Sequence, residues 1–275
     1  MTTAVPTARI RVGCDFCFEV PSPVAAVFQV EPRDELRQRV VAQALSFVPA
    51  GEHTAYADTF GNTCSRLLVA PGPFALHYDA TVEVPRTADD TDPDAREVPV
   101  ERLPAEALLF LMPSRFCVSD VLAGQAWELF GGLPPGWRRV QAVIEMVHGH
   151  LAFGYGSSSP TYTAADAFAA GKGVCRDYAH LAISFCRALH IPARYVFGYL
   201  PDLDVPPDGA VMDFAAWMEV WLEGRWWTFD PRNDQHRAGR VVIGRGRDAV
   251  DVAMVTSYGA ATLKGMTVWA DEVRT

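Results

Sequence analysis

The chain has 275 residues, 49% hydrophobic and 21% charged, enough for one large or two modest domains whose core needs neither disulfides nor metal. Acidic residues outnumber basic ones 33 to 24, and the net charge of -9 argues against nucleic acid as the main partner, since phosphate binding needs a basic field. No run approaches the ~18 apolar residues of a membrane helix, and Met1-Thr2-Thr3-Ala4-Val5-Pro6 lacks the regions of a signal peptide. Six cysteines in such a chain read as free thiols, so the expectation is a cytoplasmic protein with no membrane partner.

The first hundred residues read as β structure. Apolar or alternating runs fall at 10–20, 25–30, 66–70 and 74–84, punctuated by Pro21-Ser22-Pro23 and Pro71-Gly72-Pro73. Residues 36–47 suit helix or strand. Residues 87–94 are acidic, carry a proline and have no apolar period, which predicts an exposed loop.

From Leu103 the period changes. Short helices are expected at 105–112 and 118–130, and a longer one at 137–151, where Val140, Ile144, Val147 and Leu151 recur at helical spacing. Residues 163–170 form a short helix with Thr163 as N-cap and Gly171 as its stop. The strongest helical segment is 174–190, ended by Ile191-Pro192. Strand signals return at 193–200, 215–222, 225–229, 250–255 and 267–270, with a proline- and aspartate-rich loop at 201–208. The order predicts an α+β protein with a β-rich N-terminal domain at 1–100 and a second domain at 101–275.

Gly171-Lys172-Gly173-Val174-Cys175-Arg176-Asp177 is a glycine-rich turn feeding a helix, and it puts Cys175 in the first turn. Unpaired N–H groups and the helix dipole favour thiolate there, and one such N–H can serve as an oxyanion donor. The plainer alternative is a cysteine that only fills a helix start. A nucleophilic thiol needs a base and a group to orient that base. Downstream lie Ala215-Ala216-Trp217-Met218-Glu219-Val220-Trp221 and Trp226-Trp227-Thr228-Phe229-Asp230-Pro231.

With Cys175, these segments resemble the transglutaminase-like superfamily of cysteine acyl-transferases, proteases and amidases. The shared layout is a Gly-x-Cys-Arg-Asp helix start, a strand with Ala-Trp-x-Glu-Val and a strand ending Trp-x-x-Phe-Asp-Pro. The N-terminal region and the tail around 239–253 are similar to the bacterial subgroup. The resemblance implies a papain-like core, Cys175 as nucleophile, Asp230 as the residue that orients the histidine, a thioester route on a peptide or carboxamide, and neither metal nor other cofactor.

One position departs from the pattern. The family's catalytic histidine directly precedes Ala-Trp, and here that residue is Ala215. An engineered His-to-Ala change, a natural binding protein without turnover, and another histidine acting as base all fit this gap. Losing the base of a triad typically lowers the rate on the order of 10⁴ to 10⁶. This chain is therefore expected to be nearly inactive, or to be a non-catalytic peptide-binding protein on the same fold.

Among other histidines, His180 lies about 140° round the helix from Cys175 and is more often a satisfied core residue. His236 follows Asp230 in a turn-like stretch that could fold back over the site, while His148 and His150 suit a helix end. Gly173, Val174, Asp177, Trp217 and His236 are candidate substrate contacts, although the tryptophans equally suit a core. Cys14-x-x-Cys17 puts its thiols on opposite strand faces and reads as packing rather than metal. Arg240, Arg245 and Arg247 could receive a carboxylate or pair with Asp248 and Asp251. No phosphate-binding glycine loop is present, so no nucleotide is expected.

Overall fold

The computed structural model describes residues 6–206, 209 and 211–274. Met1 to Val5, and Pro207 and Asp208 at the end of the expected 201–208 loop, lie outside the described residues.

The N-terminal strands are β1 (Thr7–Val20), β2 (Val24–Phe28), β3 (Arg39–Val48), β4 (His53–Ala57), β5 (Thr63–Val69) and β6 (Gly72–Pro85). β1 and β6 are the long partners, antiparallel from Thr7↔Pro85 to Val20↔Gly72. Their side chains alternate buried and open, as a sheet with one covered face requires. Phe28 on β2 meets Phe18 on β1, Phe47 on β3 and Phe74 on β6 at ring-centroid distances of 6.0 to 6.3 Å. These aromatics close the two sheets face to face. Cys14 is buried and Cys17 exposed, the opposite-face placement that the strand period predicts.

Of residues 36–47, undecided between helix and strand, those from Arg39 onward form the edge strand β3 beside β6. Its side chains are mostly exposed, so periodicity carries little signal there and the backbone ladder decides. Strand β4, exposed along its whole length, left no alternation to read.

The helices are α1 (Ala105–Leu108), α2 (Ala123–Phe130), α3 (Trp137–His150), α4 (Ala164–Ala170) and α5 (Cys175–Ala188), with two-residue strands β7 (Ala152–Phe153) and β8 (Lys172–Gly173). α4 has the expected ends: Thr163 and Asp166 form a reciprocal capping box, and Gly171 sits at φ 62°. The helix expected over 118–130 starts only at Ala123.

The third sheet has the order β11-β10-β9-β12, built from β9 (Ala193–Tyr199), β10 (Ala215–Leu222), β11 (Arg225–Phe229) and β12 (Val241–Gly246). α5 lies across it, buried from Asp177 to Ala188. The last strands, β13 (Val255–Ser257) and β14 (Thr262–Glu272), return to β2 and β1. The segment at 101–275 thus completes both N-terminal sheets. Residues 250–255, expected as strand, are mostly turn, because Asp248 Oδ1 accepts the Val250 N–H and its carbonyl the Asp251 N–H before β13 begins.

The acidic segment 87–94 is a mostly exposed loop, as expected, but two of its aspartates tie it down. Asp89 binds Arg240 and the backbone N–H of Arg237, and Asp90 binds Arg37 and Arg225. Its carboxylates find arginines at the start of β11 and in the loops before β3 and β12, which fixes a segment with little apolar surface to bury. No helix among the described residues is long and apolar enough to cross a membrane.

Candidate active site

The glycine turn sets the start of α5. Asp177 is 1% exposed, and its Oδ2 accepts the Val174 N–H at 2.9 Å while its own N–H bonds the Val174 carbonyl. An ideal Cβ on Gly173 would lie 2.7 Å from Asp177 Cβ, so only glycine lets the turn close on this carboxylate. Asp177 therefore caps the helix from beneath Gly173 and Val174. Arg176 reaches the other way, to Ser158 Oγ and the Ser159 carbonyl at 2.7 Å, and pins the loop before α4.

Cys175 is half-buried, and its Sγ lies 4.0 Å from the carbonyl oxygen of Phe214. Burial pushes the thiol up to about 11; the Ala216 N–H and the Arg232 charge pull it down, and Asp213 adds to the rise. The helix start alone does not make a thiolate here. It lowers the pKa, but removal from water outweighs it.

Strand β10 carries position 215. Ala216, Met218 and Val220 enter the main core, while Ala215 and Trp217 pack on the opposite face with Val196 and Val242. The β10–β11 register runs from Leu222↔Arg225 to Met218↔Phe229, and Asp230 follows directly after β11. Arg240 bonds Asp230 while its guanidinium lies 5.0 Å from the Trp217 ring, which sets the carboxylate near the face that Ala215 and Trp217 share. Asp230 is 5% exposed. Its Oδ1 accepts the backbone N–H groups of Arg232 and Asn233, and its Oδ2 accepts Asn233 Nδ2 at 2.8 Å and Arg240 Nη2 at 3.0 Å. The structure brings Cys175, position 215 and Asp230 to one end of the third sheet. The side chain at position 215 is a methyl group, with no imidazole to link thiol and carboxylate.

The four histidines that stood out in the sequence have neighbours of their own. His180 is fully buried between Phe116 and Tyr195, and its Nε2 accepts the Ala249 N–H at 3.2 Å. Burial, with Arg176 and Arg187 nearby, holds its pKa well below the usual value, so it is neutral. His148 and His150 bond the Arg232 and Phe168 carbonyls. His236 is exposed and stacks on Trp137 at the rim of a cavity of about 380 Å³ that Asp230 also borders and Cys175 does not.

Trp217, expected among substrate contacts, is 1% exposed, with the Arg240 guanidinium 5.0 Å from its ring. Trp226 and Trp227 face opposite sides, Trp226 toward Phe110 and Trp227 toward Trp137. The arginines of the tail are engaged: Arg240 with Asp89 and Asp230, Arg245 with Glu35 and Glu219, Arg247 with Asp251. Only the Arg247–Asp251 pair follows from sequence proximity. Arg232, Asn233 and the Asp89–Arg240 link escaped the sequence reading, since Asp89 lies in a segment that looked solvated. Among the described residues no group of three or more His, Cys, Asp or Glu is placed to hold a metal ion.

A cysteine at a helix start, packed against an antiparallel sheet whose neighbouring strands carry position 215 and lead into Asp230, is the layout of a transglutaminase-like core. The transglutaminase-like superfamily model matches residues 126–231, and the chain belongs to that superfamily. It is similar to a crystal structure from Cytophaga hutchinsonii described as a candidate cysteine protease, at 31% identity and TM-score 0.89, over 98% of this chain and 92% of that one. It is also 31% identical to an uncharacterized protein of Mycobacterium bovis over 80% of this chain and 77% of that protein. A second uncharacterized protein, from Mycobacterium leprae, is 27% identical over 89% of this chain and 91% of its own length.

Proposed function

We propose that the Cys175 crevice is an acyl-transfer site for a peptide or protein substrate, held in this chain without the base that turnover requires. The observation that carries this reading is the sulfur lying against the backbone on either side of position 215, with Asp230 held by Arg240 just beyond the neighbouring strand. In the complete reaction the sulfur attacks a carboxamide or peptide carbonyl carbon and a C–S bond forms. The C–N bond breaks, and the departing amine takes the proton that the thiol gave up. Water then adds to the thioester, releases the acid and returns a proton to sulfur. An amine in place of water gives transamidation. The relative's description as a candidate cysteine protease favours water.

With the thiol at about 11, thiolate at pH 7 is about one part in ten thousand, and among the described residues no histidine bonds the sulfur to draw off the proton. That favours a second reading for the chain as it stands, a peptide-binding protein on a transglutaminase fold, because binding needs no thiolate. All six cysteines are unpaired, and a cytoplasmic site of action belongs to the same proposal.

The test is the pH profile of alkylation at Cys175, followed by mass spectrometry of its peptide, in the parent and in Ala215→His. An apparent thiol pKa that drops below ~8.5 on restoring the imidazole establishes the acyl-transfer site, and that variant should then cleave peptides or amides. A profile that does not move sinks the catalytic reading and leaves the binding one.

A further inference from the structure

On the Trp217 face of β10 lies a second cavity, of about 230 Å³. In a protein of net charge -9 it is lined by six arginines: Arg37, Arg194, Arg225, Arg237, Arg240 and Arg245. Four carboxylates share the lining, and each is already bonded to arginine. Glu219 lies between Arg194 and Arg245, Glu35 binds Arg245, Asp89 binds Arg240, and Asp90 binds Arg37 and Arg225.

The donors are not all used. Arg240 is 7% exposed; its Nε goes to Asp89 and its Nη2 to Asp230, and Nη1 has no partner among the described residues. Arg237, 10% exposed, spends Nη2 on the Pro201 carbonyl and Asp202, and its Nε is likewise unpartnered. A buried guanidinium N–H is a strong donor that native proteins rarely leave unpaired. Both side chains line the cavity although these two atoms are sealed, and six guanidiniums against four carboxylates leave its lining net positive, which suits an acceptor that enters from outside.

We propose that this cavity binds a small carboxylate. The guanidiniums supply charge-assisted donors. The carboxylates already in the wall oppose a dianion, so a monoanionic group suits the cavity better than phosphate. The size admits a terminal or side-chain carboxylate and not a whole residue stack. Arg240 also bonds Asp230, so the bound carboxylate lies one arginine away from the acid expected to orient the histidine. The site stands whether or not Cys175 turns substrate over.

The test is calorimetric titration of the full chain at constant ionic strength with sodium acetate, acetyl-triglycine, its C-terminal amide and inorganic phosphate. Saturable binding of acetate and of the peptide acid is expected, with the amide at least tenfold weaker. Binding of the peptide acid alone assigns a peptide terminus as the source, and equal strength for acetate a free acid. Arg237→Gln and Arg240→Gln should each weaken binding at least fivefold, with folding checked by thermal melting. If Arg240→Gln does not fold, Arg237→Gln decides. Equal affinity for acid and amide, tighter binding of phosphate, no saturable binding, or affinity unchanged in Arg237→Gln would overturn the proposal.

Discussion

The sulfur of Cys175 lies 4.0 Å from the carbonyl oxygen of Phe214, on the other side of one peptide bond from Ala215. Helix α5 and strand β10 thus bring the nucleophile and the position of its expected base together through backbone alone. That contact does not depend on which side chain occupies 215, so the scaffold of the site survives with alanine there.

From this follows a coupling between positions 215 and 230. Ala215→His should raise alkylation of Cys175 at pH 7 by more than about tenfold, through ion-pair formation between imidazolium and thiolate. Asp230→Asn added to that variant should remove most of the gain, since the neutral amide orients and stabilises the imidazolium less well. In the parent, Asp230→Asn should leave the Cys175 profile nearly unchanged. Rates for the four variants give the interaction term directly, and an additive result would place Asp230 outside the site.

Arg240 holds together parts of the chain far apart in sequence. It lies between Asp89, in the segment after β6, and Asp230, after β11, and all three are largely buried. Arg240→Met would strand two carboxylates with little water to replace the guanidinium. The expected loss is about 3–5 kcal/mol, read from urea unfolding at pH 7. The loss should shrink at pH 4, where Asp89 protonates readily because burial has already raised its pKa.

Much of this arrangement is legible in the sequence. Cys175 and Gly173 are marked by the glycine turn that opens α5, and β10 and β11 carry apolar and aromatic runs whose observed bounds match those read from the pattern. The connection between the elements is not. The pairing of β14 with β1, and the capture of Asp89 by Arg240, depend on partners roughly 150 to 260 residues apart, and no local period records them. The edge strands β3 and β4 are hidden for a related reason: their stability comes from a neighbouring backbone, and their side chains stay in water. The thiol pKa is missed too, because a local reading sees the helix N-terminus and not the burial that outweighs it.

His180 makes stability depend on pH. Its folded pKa lies below the unfolded value of ~6.5, so the neutral ring contributes stability that is full above that value. As pH falls the unfolded chain takes up a proton that the folded chain refuses. Stability then declines by up to about 1.4 kcal/mol per pH unit below ~6.5. His180→Gln keeps an acceptor for the Ala249 N–H and removes the titration. Its urea midpoint should be lower at pH 7, for want of the stack on Phe116, yet flatter between pH 6.5 and 5.

Gly173→Ala tests how tightly the nucleophile is set. The new methyl would meet Asp177 Cβ at 2.7 Å and its Oδ2 at 3.0 Å. Neither can yield easily, because the same carboxylate accepts the Val174 N–H and is sealed from water. The carboxylate must tilt away or the turn must open, and either frees the first turn of α5. Overpacking of this kind costs about 1–3 kcal/mol. The thiol should respond as well. Burial is the largest cause of its raised pKa, so a loosened first turn moves the alkylation profile of Cys175 to lower pH even without a histidine. A lower melting temperature with an unmoved profile would show that the glycine supports the helix and leaves the position of the sulfur to the contact with Phe214 and Ala216.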